Sequence, residues 1–329
     1  MAMNIISQEN AGSKNWLQTS SSTLIKFGIL LVLLFMAPLV VYPIFAMKIL
    51  CFALFAAAFN LLLGYGGLLS FGHAAFFGSA SYITAYSAKV WGMSPEVSIL
   101  IGAIAAGGLG LVFGSLAIRR QGIYFAMVTL ALAQMVYFVA LQAPFTGGED
   151  GIQAIPRGAL FGIVDLSSDA SMYALVATIF FGSLLVIHRI VNSPFGRVLH
   201  AVRENEARAI SMGYEVQKHK LTLFVLSAVL SGLAGGMKAI VFQLASLTDV
   251  FWTMSGEVVL MTLIGGVATF FGPLVGAALI VALQNYLADF GSWVTITQGA
   301  IFVACVLLFR KGIVGLAIER WTKRSSTAS

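Results

Sequence analysis

Charge is what this chain has least of. Lysine, arginine, aspartate and glutamate make up 10% of its 329 residues, against about a quarter in soluble domains. No basic soluble face exists to meet phosphates, so a nucleic-acid partner is excluded. Cysteine is as scarce. The two that occur, Cys51 and Cys305, sit in apolar runs with no C-x-x-C spacing, which excludes a disulfide framework or a thiolate metal site and leaves them as small core residues. There are four histidines and no H-E-x-x-H, so no zinc centre is expected. The sequence holds no G-x-x-x-x-G-K-[ST] and no G-x-S-x-G, which excludes a P-loop and disfavours a serine hydrolase. No enzyme activity, cofactor or metal is therefore expected in the chain itself.

Hydrophobic residues are what fill it, at 59%. Apolar runs of roughly 20 residues are long enough to cross a bilayer, and lipid leaves the backbone no partners except its own, so such runs are helical. The candidates number ten: about 24–42, 46–63, 70–88, 97–117, 123–141, 171–189, 220–242, 253–269, 272–288 and 293–309. The expected fold is an all-α integral membrane protein, a polytopic bundle of about ten transmembrane helices. It forms one domain, 24–309, between a polar leader, 1–23, and a basic tail, 310–329. The first apolar run is too long and too far from the start for a cleaved signal peptide. Basic residues set the orientation. With the N-terminus in the cytoplasm, Lys14, Lys26, Arg119, Arg120, Arg189, Arg310, Lys311, Arg320, Lys323 and Arg324 fall inside, and only Lys48, Lys89, Arg157 and Lys238 fall outside. The net charge of +6 is thus a topology signal, and both termini are expected in the cytoplasm.

Glycine breaks interrupt the runs at three places. Gly64-Tyr65-Gly66-Gly67-Leu68-Leu69-Ser70-Phe71-Gly72-His73 loses helix propensity while staying apolar. Non-helical backbone at membrane depth needs protein or a water-filled cavity around it, so this is a wall or hinge of a path, or else a tight turn between helices packed through glycine. Leu263 to Pro273 repeats a Gly-Gly, then Thr and Phe, at the inner end of its own run. That similarity is a weak internal repeat or chance likeness in Gly/Phe-rich sequence. Thr146-Gly147-Gly148-Glu149-Asp150-Gly151 lies in the longest outward loop, about 142–170, and reads as an irregular, mobile turn: a plain surface loop, or a lip that meets an external partner. Ionisable groups inside spans are few. Glu257 and His73 stand without an evident in-span partner for a proton relay.

One polar island breaks the grease. From Asn192 to Lys220 the chain carries Arg197, Arg203, Arg208, Lys218 and Lys220 against Glu204, Glu206 and Glu215. Ser193-Pro194 starts a helix and Met212-Gly213 stops it, which predicts one helix of about 18 residues. Phe195, Val198, Leu199 and Val202 form its apolar stripe, and Glu204 and Arg208 are spaced as an i,i+4 pair. A helix lying on the membrane explains the first half. Mixed charge in the second half suits reversible docking of a soluble partner.

Three stretches together carry a family resemblance: Asn60 to His73 with Ala74, Phe76, Gly78 and Tyr82; Thr146 to Ile152; and Ser193 to Arg197 with Ala201 to Glu206, Ala209, Met212 and Gly213. Over about 45–315 the chain resembles the LivM-type permease subunit of ATP-binding-cassette importers for branched-chain amino acids. The resemblance implies a second homologous permease subunit, two cytoplasmic ATPases that bind the ATP, a periplasmic solute-binding protein, and residence in a bacterial inner membrane. It places Arg197, Arg203, Glu204, Asn205, Glu206 and Arg208 in a cytoplasmic coupling segment, 192–219. Gly66, Gly67, Ser70 and His73 fall near the path, with Gly265 and Gly266 of the second break as further path candidates. Thr146, Gly147, Gly148, Glu149 and Asp150 become candidates for binding-protein contact. Relatives with similar signatures carry urea or short amides, and no residue separates those solutes from leucine, isoleucine and valine. An ion-driven secondary transporter and a membrane-embedded enzyme or scaffold are the rival classes.

Overall fold

The computed structural model describes residues 25, 27–38, 40–162, 164–287, 296–297, 299–300, 303 and 312–315. The leader 1–23, the tail 310–329 apart from 312–315, and most of the tenth apolar run lie outside the described residues. Contacts divide the chain into two units, Met1–Ala46 and Met47–Ser329. The first contains helix α1 (Phe27–Pro38). Helix α2 (Pro43–Asn60) begins at its end and runs into a π-helical turn, Leu61–Tyr65.

The remaining helices are α3 (His73–Lys89), α4 (Pro95–Ala117), α5 (Ile123–Gln142), α6 (Asp169–Asn192), α7 (Pro194–Glu204), α8 (Glu206–Ser211), α9 (Val216–Phe242), α10 (Trp252–Gly265) and α11 (Gly272–Tyr286). The first nine expected apolar runs are thus helical over their described residues, and the tenth lies mostly outside them. Among the described residues five helices can cross a membrane by length and composition: α2 with its π turn, α4, α5, α6 and α9. The others are shorter. At 14 and 15 residues, α10 and α11 rise only about 21–23 Å, less than a hydrocarbon core of about 30 Å. The glycine breaks beside them continue the chain in non-helical form.

The densest packing joins α3, α4 and α9. Small residues let these backbones approach, which is how helices associate where no hydrophobic drive separates protein from lipid. A side chain on Gly235 of α9 would strike the Phe77 carbonyl of α3, and one on Gly232 would meet Ala103 and Ala106 of α4. Phe55, Phe59, Phe76, Phe77 and Phe224 fill the space around these crossings and are fully buried.

The loop 142–170 is more ordered than a mobile turn. Gly147 and Gly151 take left-handed backbone (φ 77° and 67°), and Gly151 packs where any Cβ would strike the Ala245 carbonyl. Strand β1 (Ile152–Gln153) comes next, then the hairpin of β2 (Ala159–Leu160) and β3 (Val164–Asp165). β1 pairs antiparallel with β4 (Leu244–Ala245), the chain that leaves α9. Arg157 pins the loop further, with its Nη1 2.9 Å from Asp169 Oδ1 and its Nη2 donating to the Val241 carbonyl at 3.2 Å. The hydroxyl and the N–H of Ser167 both donate to Asp165 Oδ1, at 2.6 and 2.9 Å. They hold that exposed carboxyl below the usual carboxylate range.

The island is two helices rather than one. α7 starts as the sequence predicts, with Pro194 at its first position and the Ser193 hydroxyl accepting from Gly196 N–H at 3.3 Å. It stops at Asn205, whose backbone leaves the helical region (φ −156°, ψ 100°). The Asn205 Oδ1 accepts from Arg208 N–H at 3.0 Å and so caps α8. Asparagine is a better cap than interior helix residue, and here the local bond wins. The break removes the expected Glu204–Arg208 pair. Glu204 lies 3.3 Å from His200 instead, both exposed. Val202, Ala209 and Val216, with Val198 packed on them, form a small core that holds α7, α8 and the start of α9 together.

Candidate functional site

The glycine breaks at 64–73 and 263–273 meet, and a polar residue of α2 ties them. Asn60 is the last residue of α2 before the π turn and is buried. Its Nδ2 donates to the Thr269 carbonyl and its Oδ1 accepts from Ala268 N–H, each at 3.0 Å. The second break is wound tightly at that point: Gly266 and Ala268 both have positive φ (122° and 62°), and Thr269 Oγ1 donates to the Gly266 carbonyl at 2.7 Å. Gly64 lies so close to Ala268 that a Cβ there would sit 2.8 Å from its nitrogen. An asparagine ending a twelve-residue stretch, 49–60, with no other polar side chain, directly ahead of a glycine break, is the signal that could have marked this contact from sequence.

The island reaches the same place. Where the π turn ends, the Leu62 and Leu63 carbonyls accept from Leu68 and Gly67 N–H. The Gly64 carbonyl accepts from Arg203 Nη1 of α7. Buried carbonyls at helix ends need such partners. The Arg203 stem covers Gly67, which has φ 69°; a Cβ on Gly67 would lie 3.1 Å from Arg203 Cγ. Glu206 also turns inward. Its carboxylate lies 2.8 Å from Lys220 Nζ of α9 and accepts from Gln121 Nε2 of the α4–α5 connection at 3.0 Å. Lys220 is buried, so it belongs to this inner staple and not to the island's outer surface. Arg197, Arg203, Glu204, Asn205 and Arg208 are exposed, Arg203 while its guanidinium bonds to the Gly64 carbonyl, and exposed Ile210 and Met212 stand among them.

Of the six path candidates only Gly67 is exposed. Gly66, Ser70, His73, Gly265 and Gly266 are buried within the chain. Ser70 Oγ accepts from Gly72 N–H at 3.1 Å. His73 opens α3 in a cage of Phe59, Phe76 and Phe224. The Ser227 hydroxyl donates to the Ala58 carbonyl at 2.6 Å, so it accepts from His73 Nε2, 2.8 Å away. This fixes the proton on Nε2, and among the described residues the buried Nδ1 has no partner. His73 thus ties α9 to α2 and α3.

In the loop after α5 Glu149 and Asp150 are exposed and Thr146 is buried, its Oγ1 2.6 Å from the Ala140 and Ala143 carbonyls. A buried ion pair that sequence reasoning passed over lies near them: Lys238 Nζ is 2.6 Å from Asp249 Oδ2, with side chains only 11% and 3% exposed. An apolar groove of about 430 Å³ runs between α3, α4 and α5, lined by Tyr82, Phe113, Met135 and Val139 among others. Its almost wholly apolar lining offers no seat for a charged headgroup. No three residues among the described His, Cys, Asp and Glu are placed to share a metal ion.

Comparison with known proteins places this architecture. The chain is 27% identical to the high-affinity branched-chain amino acid transport system permease protein LivM of Escherichia coli strain K12, over 78% of this chain and 65% of that one. The protein of the same description from Salmonella typhimurium is 25% identical over 82% of this chain and 69% of its own length. The L-arabinose ABC transporter permease protein AraH of Azospirillum brasilense is 30% identical over 58% of this chain and 56% of its own. No solved structure matches. Residues 41–309 match the family described as the branched-chain amino acid transport system permease component; the chain, a multi-pass membrane protein, belongs to that family.

Proposed function

We propose that this chain is the membrane-spanning subunit of an ATP-powered importer for branched-chain amino acids. It would work with a second permease subunit, two cytoplasmic ATPases and an external solute-binding protein. The observation that carries the reading is the Arg203–Gly64 contact. A surface segment with exposed charge around Ile210 and Met212 fits a docked partner, in which an apolar centre sits inside a polar rim. Arg203 joins that segment to the glycine break, and Asn60 joins that break to the second one. Movement of a docked ATPase would therefore reach the joint at the inner end of α2 and α10 through hydrogen bonds, with no energy source in the chain itself.

On this reading the buried glycines are parts of a hinge and Gly67 is the one at the wall. Glu149 and Asp150 face the binding protein. Topology follows from basic-residue placement, with both termini in the cytoplasm. The amino acid cargo rests on the naming of relatives; the sugar permease among them shows that the scaffold alone does not fix the solute.

The test is reconstitution. The chain reconstituted in liposomes with a second permease subunit and two ATPases should accumulate labelled leucine only with ATP and binding protein. Uptake by the chain alone on an ion gradient would overturn the proposal. Transport of urea in place of leucine by the complete complex would keep the machine and correct the cargo.

A further inference from the structure

The turn between α4 and α5 carries two neighbouring cations that nothing in the chain answers. Arg119 and Arg120 are exposed, and among the described residues neither guanidinium has a hydrogen bond or an ion pair. The next residue is engaged. Gln121 Nε2 donates to Glu206 Oε2 at 3.0 Å, and Lys220 Nζ lies 2.8 Å from the same carboxylate. The acid at this turn is thus neutralised from within the chain, and the two arginines keep their charge open.

Their setting is apolar. Leu116 stands three residues before Arg119, and Ile123 and Tyr124 follow Arg120 closely; all three are exposed. Both flanking helices are long and apolar enough to span a membrane, so the turn lies where hydrocarbon gives way to headgroups. Leu116 also lines the groove between α3, α4 and α5, and of the α4 residues in that lining it is the nearest to the helix end. The Arg120 N–H donates to the Ala117 carbonyl at 2.9 Å, so the arginine pair sits on the turn directly beyond the groove's lining. The groove holds about 430 Å³. A helix about 10 Å across fills roughly 420 Å³ per turn, so only one turn of a partner helix could enter. A slender acyl chain suits such a volume and such a lining better. A docked soluble protein would present the reverse pattern, an apolar centre inside a charged rim; here the charge is central and the flanks are apolar.

We propose that Arg119, Arg120 and the adjoining groove form a binding site for an acidic phospholipid, with the phosphate on the arginines and an acyl chain in the groove. Arginine grips phosphate through paired N–H donors, and basic clusters beside membrane helices select acidic headgroups. Because Gln121 is bonded to Glu206 of α8, the lipid is seated next to the segment assigned above to ATPase docking. The site goes beyond the importer reading and does not depend on it.

The experiment is native mass spectrometry of the full chain purified in detergent, titrated with phosphatidylglycerol and with phosphatidylcholine of the same acyl chains. Phosphatidylcholine carries the same phosphate but a compensating ammonium. The wild type should retain phosphatidylglycerol at least about tenfold better, as two surface arginines warrant. Arg119→Gln with Arg120→Gln should bring the ratio close to one. Arg119→Lys with Arg120→Lys keeps the charge and should keep much of the preference, which guards against a variant that merely misfolds. Val139→Trp, which narrows the groove at an exposed lining position, should lower retention of both lipids and leave their ratio unchanged. Equal retention of the two lipids by the wild type would overturn the site, as would an unchanged ratio in the double glutamine variant or unchanged retention in Val139→Trp. Displacement of phosphatidylglycerol by millimolar inorganic phosphate would make this a plain anion site and overturn the lipid. Loss of the ATPases from the complete complex in the double glutamine variant, with the lipid ratio unchanged, would overturn it in favour of a protein contact.

Discussion

Replacing Arg203 by methionine separates docking from transmission. Methionine keeps an apolar stem over Gly67, whose Cβ position lies 3.1 Å from Arg203 Cγ, and removes the donor to the Gly64 carbonyl. A hydrogen bond from a charged donor contributes about 1.5–3 kcal/mol. If the contact exists in one of two transport states, its loss shifts their ratio by roughly 10- to 150-fold, since about 1.4 kcal/mol is a factor of ten. The exposed groups Arg197, Glu204, Arg208, Ile210 and Met212 are untouched. The ATPases should therefore still co-purify with the variant at wild-type yield. Leucine imported per ATP hydrolysed in liposomes should fall by about tenfold or more. Arg203→Lys, which retains a charged donor, should fall less. Wild-type transport stoichiometry in Arg203→Met would refute the transmission argument. So would loss of the ATPases on purification, which would make Arg203 a docking residue.

Three further outcomes are expected. Lys238→Met leaves Asp249 charged and buried, which should destabilise the protein by about 3–5 kcal/mol, whereas Lys238→Met with Asp249→Leu should recover most of that loss; thermal unfolding in detergent reads both. Gly67→Leu forces a side chain into left-handed backbone, at about 1–2 kcal/mol, and drives it into Arg203, while Gly66→Leu collides with Leu223; both should abolish uptake while membrane insertion persists. Asn205→Ala removes the α8 cap, worth about 0.5–2 kcal/mol, and should weaken ATPase co-purification without changing ATP hydrolysis by the free ATPases.

The helices were legible in the sequence because lipid leaves an apolar run only one way to satisfy its backbone. Span lengths were less so. The run expected at 253–269 ends as a helix at Gly265, because the backbone takes positive φ at Gly266 and again at Ala268. The start of the island was legible from Ser193-Pro194, but its break at Asn205 was not, because asparagine fits an exposed helix face and a cap equally well by spacing alone. Mixed charge in the second half read as a docking face. Arg203 and Glu206 in fact bond within the chain, to groups 139 and 14 residues away in sequence. Long-range partners of this kind leave no periodic trace. Lys48 and Lys238 read only as topology signals, and the depth at which each side chain ends depends on packing that no local pattern encodes.

Helix α9 is fastened at three levels. Near its N-terminus Lys220 holds Glu206 of α8; midway Ser227 holds His73 and the Ala58 carbonyl; near its C-terminus Lys238 holds Asp249. At 27 residues it is a rod of about 40 Å, with no proline to bend it. A rod riveted at bottom, waist and top cannot absorb a shove by sliding or by local melting. A tilt imposed at one end of the helix must therefore appear at the other, so its two ends are geared to one shaft.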